Sequence, residues 1–226
     1  MSRFKIGRQY WIDLCIKNSE EVIPCFIIDS QIMNNCKNSS FRIEFLNQSL
    51  IDVDKQLNKK KSSLQIFKGN TRSIIQKIIS DHKIKGVFLN GDYTKSAQNR
   101  EMEIEKLCNK NKVDFNKYAD YLLQIPDEIQ TREGKPYTIY SHFFKTAKTI
   151  PVRKVIINNF DNYYKGKIKD GISIDIIKKE IGKNNVGGRT NALKILKNIH
   201  LFKDYQKTRN YPSLDKTTKL SPHNRF

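Results

Sequence analysis

The chain is poor in the residues that staple, ligate or anchor a protein. Its four cysteines, at 15, 25, 36 and 108, include no C-x-x-C pair and have no histidine at metal-ligand spacing beside them. Cys25 falls inside the apolar run 22–28, where a buried free thiol acts as a small hydrophobe. The histidines at 82, 142, 200 and 223 are scattered, so neither a metal site nor thiol catalysis is expected. No apolar run approaches the roughly eighteen residues of a membrane span. Residues 1–11 also lack the apolar stretch of a secretory signal. The expectation is an intracellular protein, neither secreted nor membrane-bound, without disulfides. Tryptophan occurs once, at Trp11. Acidic residues are in short supply: 23 Asp+Glu stand against 42 Lys+Arg, a net charge of +19.

What is present suffices for a core. Over 226 residues the chain is 38% hydrophobic and 10% aromatic, which excludes wholesale disorder. The positive balance bears on partners and not on fold. It fits a nucleic acid or another anionic surface, and the excess of Lys over Arg with abundant Ile and Asn fits an AT-rich coding bias equally well. The run 22–28 ends at Asp29 and reads as a buried strand. Residues 39–60 place apolar side chains at 43, 46, 50, 53 and 57, a helical spacing. A second strand, 64–67, closes at Gly69, and Thr71 is a candidate N-cap for a helix carrying Ile74, Ile75, Ile78 and Ile79. A third strand, 86–90, precedes a charged helix, 97–108, with Met102, Ile104 and Leu107 toward its inner side. A fourth strand falls within 113–123. Strands alternating with helices predict α/β architecture, a doubly wound parallel sheet built from right-handed βαβ units.

From Thr131 the pattern changes. A turn over 131–137 leads into an aromatic stretch reaching Phe144, and 150–170 has no clear period. Helices are expected over 172–181 and 190–202, and the final two dozen residues are polar. The expected division is an α/β domain over 1–130, a linker over 131–170 and the beginning of a helical domain over 171–226.

Three motif groups carry chemistry. The first is Leu89-Asn90-Gly91-Asp92-Tyr93 with Ala97-Gln98-Asn99-Arg100-Glu101. The second is Gly134-Lys135-Pro136-Tyr137-Thr138-Ile139-Tyr140-Ser141-His142-Phe143. The third runs from Gly187-Gly188-Arg189-Thr190-Asn191-Ala192-Leu193 through Asp204-Tyr205 and Arg209-Asn210-Tyr211-Pro212 to Thr217-Thr218-Lys219-Leu220-Ser221-Pro222-His223. In this order and spacing they resemble the DNA photolyase/cryptochrome family over residues 22–226. The resemblance implies an N-terminal α/β domain able to hold an antenna chromophore, and a helical domain holding FAD. In that family the reduced flavin passes an electron to a pyrimidine dimer flipped out of DNA.

By the same resemblance Thr217, Thr218, Lys219, Leu220 and Ser221 match the stretch that holds the FAD phosphates, and Tyr205 matches a tyrosine at the flavin. Hydroxyls and turn N–H groups suit diphosphate oxygens, while Lys219 in the family's Arg place keeps the charge and loses the planar fork. Asn90, Asp92 and Tyr93 match the turn facing the antenna pocket of folate-using members. Each set has a plainer reading. Thr217 and Thr218 would cap a helix while Tyr205 packs on one, and Asn90 and Asp92 would make an Asx turn.

Two departures stand beside the matches. Residues 1–14 echo the family's central first strand only at Phe4, Arg8 and Asp13, and loss of that strand would leave two neighbours with unpaired backbone. Family members also run on well past the Ser-Pro-His stretch, so the chain is expected to be truncated or split. Ala147 stands where a Trp is expected, and a single tryptophan cannot form a Trp relay. The expectation is a photolyase-related protein, a truncated or split deoxyribodipyrimidine photolyase acting on damaged DNA, unable alone to bind FAD tightly, with a separately encoded C-terminal half as partner. The alternatives are an antenna or interaction module without catalysis, and a basic non-specific nucleic-acid binder.

Overall fold

The computed structural model describes residues 19–35, 40–119, 122, 124, 128–152, 159–179 and 187–223. The echo of a first strand in residues 1–14, Trp11, Cys15 and Cys36 lie outside them. Along the chain run β1 (Cys25–Asp29), α1 (Ser30–Asn35), α2 (Ser40–Asn58), β2 (Gln65–Gly69), α3 (Thr71–Asp81), β3 (Gly86–Asn90) and α4 (Lys95–Lys110). Then follow β4 (Asp114–Tyr118), α5 (Tyr140–Ala147), α6 (Ile174–Lys179), α7 (Arg189–Lys197) and α8 (Tyr205–Thr208). The alternation of strand and helix is the α/β pattern that the sequence predicts. Among the described residues the strands pair two by two, β1 with β2 and β3 with β4, both parallel, and not as one continuous sheet. No described helix is long and apolar enough to cross a membrane.

The chain divides into two compact units. The first joins Ile23–Thr71 to Tyr163–Asn224. Its core is Leu50, Ile51, Ile66 and Ile177, flanked by Phe26, Ile28, Leu46, Leu64, Ile172 and Ile174. β2 is bordered by Ile172, whose N–H reaches the Ile66 carbonyl at 2.7 Å. The buried Gln65 amide clamps the returning chain, donating to Gly166 O and accepting from Ile168 N.

α2 departs from the apolar stripe expected of it. Leu50 and Leu57 are buried, but Val53 is 44% exposed, and Asn47, Gln48 and Asp54 are buried instead. The cause is a set of distant backbone donors. Gly187 N donates to Gln48 Oε1 at 2.6 Å, Gly188 N to Ser49 Oγ at 3.1 Å and Thr190 N to Asp52 Oδ2 at 3.1 Å. The Asp54 carboxylate accepts from Leu64 N at 2.9 Å. α7 thus starts at Gly188 without a side-chain cap of its own, and Asp52 supplies the acceptor from another helix. Gly188 has φ +90°, and a Cβ there would lie 2.8 Å from Asp52 Cβ.

The same device corrects the reading of Thr71 as a cap. Thr71 is the first residue of α3, and its hydroxyl donates to Asp29 Oδ2 at 2.6 Å, while Asp29 Oδ1 accepts from Gln31 N at 2.9 Å. The helix expected over 190–202 breaks at Asn198 (φ −101°), where α7 gives way to a 3₁₀ turn, Ile199–Phe202. Between residues 193 and 214, Leu193, Leu196, Ile199, Leu201, Tyr205, Tyr211 and Leu214 are all exposed.

The second unit contains Arg72–Asn162. β3 and β4, joined through α4, enclose Ile104, Cys108 and Val113, with Ile75, Ile79, Ile84, Val87, Leu89 and Phe115 around them. Met102, expected on the inner side of α4, is 50% exposed. Cys25 opens β1 in an exposed position, whereas Cys108 is the buried thiol, its pKa pushed up by burial and by Glu105. Residues 130–136 close a turn through the Gln130–Pro136 bridge. The aromatic stretch beyond it folds as α5.

Gly188→Ala must either abandon φ +90° or push Asp52 away, so a loss of about 1–3 kcal/mol is expected, measured by urea denaturation. An unchanged midpoint would show that Asp52 does not fix this turn. Burial pushes the Asp29 and Asp52 carboxyls up, but hydrogen bonds from Thr71 and Gln31 to the one, and from Thr190 and Gln56 to the other, outweigh it, and both pKa values are lowered. The stability these groups add is present above the ordinary carboxylate range and is lost as pH falls through their lowered values. Thermal melting of wild type should therefore fall more steeply below about pH 4 than that of the Asp29→Asn/Asp52→Asn double variant; parallel curves would refute the assignment.

Candidate functional site

The turn Asn90-Gly91-Asp92-Tyr93 follows the carboxyl end of β3, where open parallel sheets place ligands. β4 holds it first: Gly91 N donates to Tyr118 O at 2.8 Å. α4 holds it next through Glu101, 6% exposed, whose Oε1 accepts from Asp92 N at 2.8 Å. Glu101 Oε2 lies 3.3 Å from Lys117 Nζ on β4. A buried carboxylate without a partner is costly; here the turn N–H bonds one oxygen, and the lysine balances the other by charge without a hydrogen bond. Asp92 Oδ1 accepts from Thr94 N at 3.1 Å, which is the Asx turn. Asn90 and Tyr93 are exposed, Tyr93 by 44%. The role of Glu101 was missed from the sequence, although the residue sits in the first motif group.

The second candidate group lies in the first unit. Tyr205 opens α8 and is 45% exposed. Thr217 and Thr218 are half-buried, Leu220 is buried, and Ser221 is exposed at the start of a 3₁₀ turn, Ser221–His223. The stretch is tied down at its end, where the His223 ring sits 4.9 Å from that of Phe45 on α2. Lys219 adopts φ +53° and places Nζ 2.6 Å from Asp215 Oδ1. Thr218 Oγ1 accepts from Leu220 N at 3.4 Å, a contact inside the turn and not the cap of an α-helix.

This donor set fits the phosphate end of FAD: three hydroxyls and an ammonium lie within five residues, on a turn fixed by Leu220 and His223. It does not fit the whole group. Tyr205 and Ser221 face solvent, and a flavin needs a concavity that buries most of its surface. The Asn90 to Tyr93 turn and the Thr217 to Ser221 stretch belong to different units. Among the described residues no group of three or more His, Cys, Asp or Glu side chains is arranged to hold a metal.

The family described as DNA photolyase matches residues 14–155. Among curated proteins, the deoxyribodipyrimidine photo-lyase of Buchnera aphidicola is 25% identical over 225 residues, covering 92% of this chain and 46% of the relative. The crystal structure of an archaeal photolyase from Sulfolobus tokodaii, solved with two FAD molecules, superposes with a TM-score of 0.77 at 25% identity, covering 96% of this chain and 48% of that one. A class III photolyase from Agrobacterium tumefaciens gives a TM-score of 0.78 at 19% identity, over 95% of this chain and 46% of that one. The chain spans about half the length of these proteins.

Glu101→Ala should remove the acceptor of Asp92 N and cost about 1–3 kcal/mol, the range for a buried donor left unsatisfied. Hydrogen exchange at the Asp92 amide should quicken at least tenfold, while Glu101→Gln, which keeps an acceptor oxygen, should retain most of the protection. Unchanged exchange in the alanine variant would mean that Glu101 does not hold the turn.

Proposed function

The chain belongs to the DNA photolyase family, and from that membership we propose that it serves the light-dependent repair of pyrimidine dimers in DNA as one part of a deoxyribodipyrimidine photolyase. In this reading residues 1–130 are the antenna-type α/β domain, 131–170 a linker and 171–226 the beginning of the FAD-binding domain. A further helical half, of the kind the relatives carry over the part of their length that this chain does not span, completes that domain. The observation that carries the reading is the exposed apolar set Leu193, Leu196, Ile199, Leu201, Tyr205, Tyr211 and Leu214. A contiguous chain segment that leaves so many large apolar side chains in water marks a surface meant to be covered, and the photolyases similar to this chain are about twice its length.

Thr217, Thr218 and Ser221 would donate to the FAD diphosphate, Lys219 would add its charge, and Leu220 and Tyr205 would pack against the group. Bound FAD supplies the light-driven electron that opens the dimer. The chain by itself presents only this phosphate end and is not expected to retain FAD. Asn90, Asp92 and Tyr93 are assigned to an antenna chromophore, with folate the candidate. Support comes from the rigid turn that Glu101 and β4 impose at the sheet's carboxyl end, beside an exposed Tyr93.

Purified alone, the chain should bind FAD more weakly than about 100 µM and, illuminated with added FAD, should reverse no more dimers than the dark control. Mixed with the helical half of the Buchnera aphidicola relative, it should retain FAD and repair. Tight FAD binding or repair by the chain alone overturns the proposal, and so does a helical half that neither associates nor restores flavin.

A further inference from the structure

α5 and the turn before it carry a feature that neither the flavin nor the antenna reading uses. Tyr137, Ser141, His142, Lys145 and Thr146 line an open hollow of about 420 Å³. Its polar groups converge. The Thr146 hydroxyl donates to Tyr137 Oη at 3.0 Å, so the tyrosine proton remains available as a donor. The Ser141 hydroxyl, a His142 ring N–H and the Lys145 ammonium join it. Among the described residues no ion pair holds Lys145. From Gly134 to Phe160 the sequence contains no Asp or Glu but five Lys and Arg, at 135, 145, 148, 153 and 154. A hollow with donors, an unpaired ammonium and no carboxylate of its own chain segment suits an anion with several acceptor oxygens.

The neighbouring side of α5 narrows the class of anion. Tyr140 is 67% exposed and stacks one face on Phe144, with centroids 5.8 Å apart and planes inclined by 18°. Phe144 in turn takes Lys148 Nζ at 5.5 Å from its centroid. The ring of Tyr140, also tilted by 32° against Phe143 at 6.3 Å, is thus steadied by two neighbouring rings while most of it meets solvent, within one helical turn of the hollow. An aromatic platform beside a cationic hollow is how proteins grip an unpaired nucleic-acid strand, stacking a base and neutralising its phosphate.

We propose that α5 is a contact site for single-stranded nucleic acid, with a phosphodiester seated on Ser141, His142 and Lys145 and the adjoining base stacked on Tyr140. The site needs neither flavin nor a helical half, so its test stands apart from that of the photolyase reading.

The intact chain is titrated with a fluorescent oligothymidylate of about twelve nucleotides and with heparin, a polyanion without bases. Binding to the oligonucleotide should weaken linearly with the logarithm of salt concentration. Tyr140→Ala should cost the oligonucleotide roughly fivefold to a hundredfold, the span of one lost stacked base, and leave heparin unaffected. Lys145→Gln should lower the salt slope by about one, and Lys145→Arg should restore it. Lys106→Gln, which removes an exposed charge on α4, should change the affinity about twofold at most. Circular dichroism confirms that each variant keeps its helices. Equal losses from Lys106→Gln and Lys145→Gln would reduce the binding to diffuse charge and overturn the site. So would an oligonucleotide affinity untouched by Tyr140→Ala, or no binding at low salt.

Discussion

Three helix and turn entrances in this protein are satisfied by carboxylates that belong to other elements. The first N–H groups of a helix have no partner inside it, and a polypeptide usually meets them with a Ser, Thr, Asp or Asn at the cap itself. Here Asp29 at the end of β1 takes Thr71, Asp52 on α2 takes Thr190, and Glu101 on α4 takes Asp92. The rest of each unit depends on these bonds. α2 cannot present a purely apolar stripe, because Gln48, Ser49, Asp52 and Asp54 must reach the backbone of 187–190 and of Leu64. Gly187 and Gly188 follow from the same requirement. A Cβ on Gly187 would come within 2.5 Å of the Phe45 carbonyl, so backbone this close to a helix admits only glycine.

That arrangement also explains what could be read in advance. Strands β1 to β4 and helices α2, α3 and α4 are legible because burial writes itself into local apolar spacing, as in Ile66, Ile104 and Val87. The caps were not legible, since their donors and acceptors are 42 and 138 residues apart for Asp29 and Asp52. No local pattern encodes such a separation. Thr71 therefore reads as its own cap, and the apolar spacing of 39–60 gives no sign that Asn47 and Gln48 are buried. Asn198 broke the expected long helix without a Gly or Pro to announce it. At the candidate sites, the residues of Asn90-Gly91-Asp92-Tyr93 and Thr217 to Ser221 could be picked out only by family resemblance, because their chemistry lies in turns that carry no periodicity. The support from Glu101 became visible only once α4 and β4 were in place.

The two candidate regions differ in how far they are built. The Asn90 to Tyr93 turn is fixed from two sides, and the ion pair beneath it places a nearly buried carboxylate against a half-exposed lysine. Its geometry is set before any ligand arrives, which lowers the ordering cost of binding. Among the described residues the Thr217 to Ser221 stretch is anchored by the buried Leu220 and the contact of His223 with Phe45, and its charge is already engaged by Asp215. A ligand there must compete with an intramolecular ion pair that water screens.

The exposed apolar residues and the open Thr217 to Ser221 stretch are linked, under the proposed function, by one geometric requirement. A diphosphate can be held by a turn alone, since its oxygens take hydroxyls and N–H groups one at a time. An isoalloxazine ring offers mostly flat surface, and its binding energy comes from area removed from water at about 25 cal/mol per Å². That area must be supplied by side chains packed on both faces of the ring. Leu193, Leu196, Ile199 and Leu201 present such area outward, where further helices could cover it. The surface that would bury these leucines and isoleucines is, in a photolyase-type helical domain, the surface that would also wall the flavin. Under the proposed function, covering the apolar face and gaining the flavin would then be a single event, while the +19 net charge would act at longer range, drawing a polyanion in without selecting among bases.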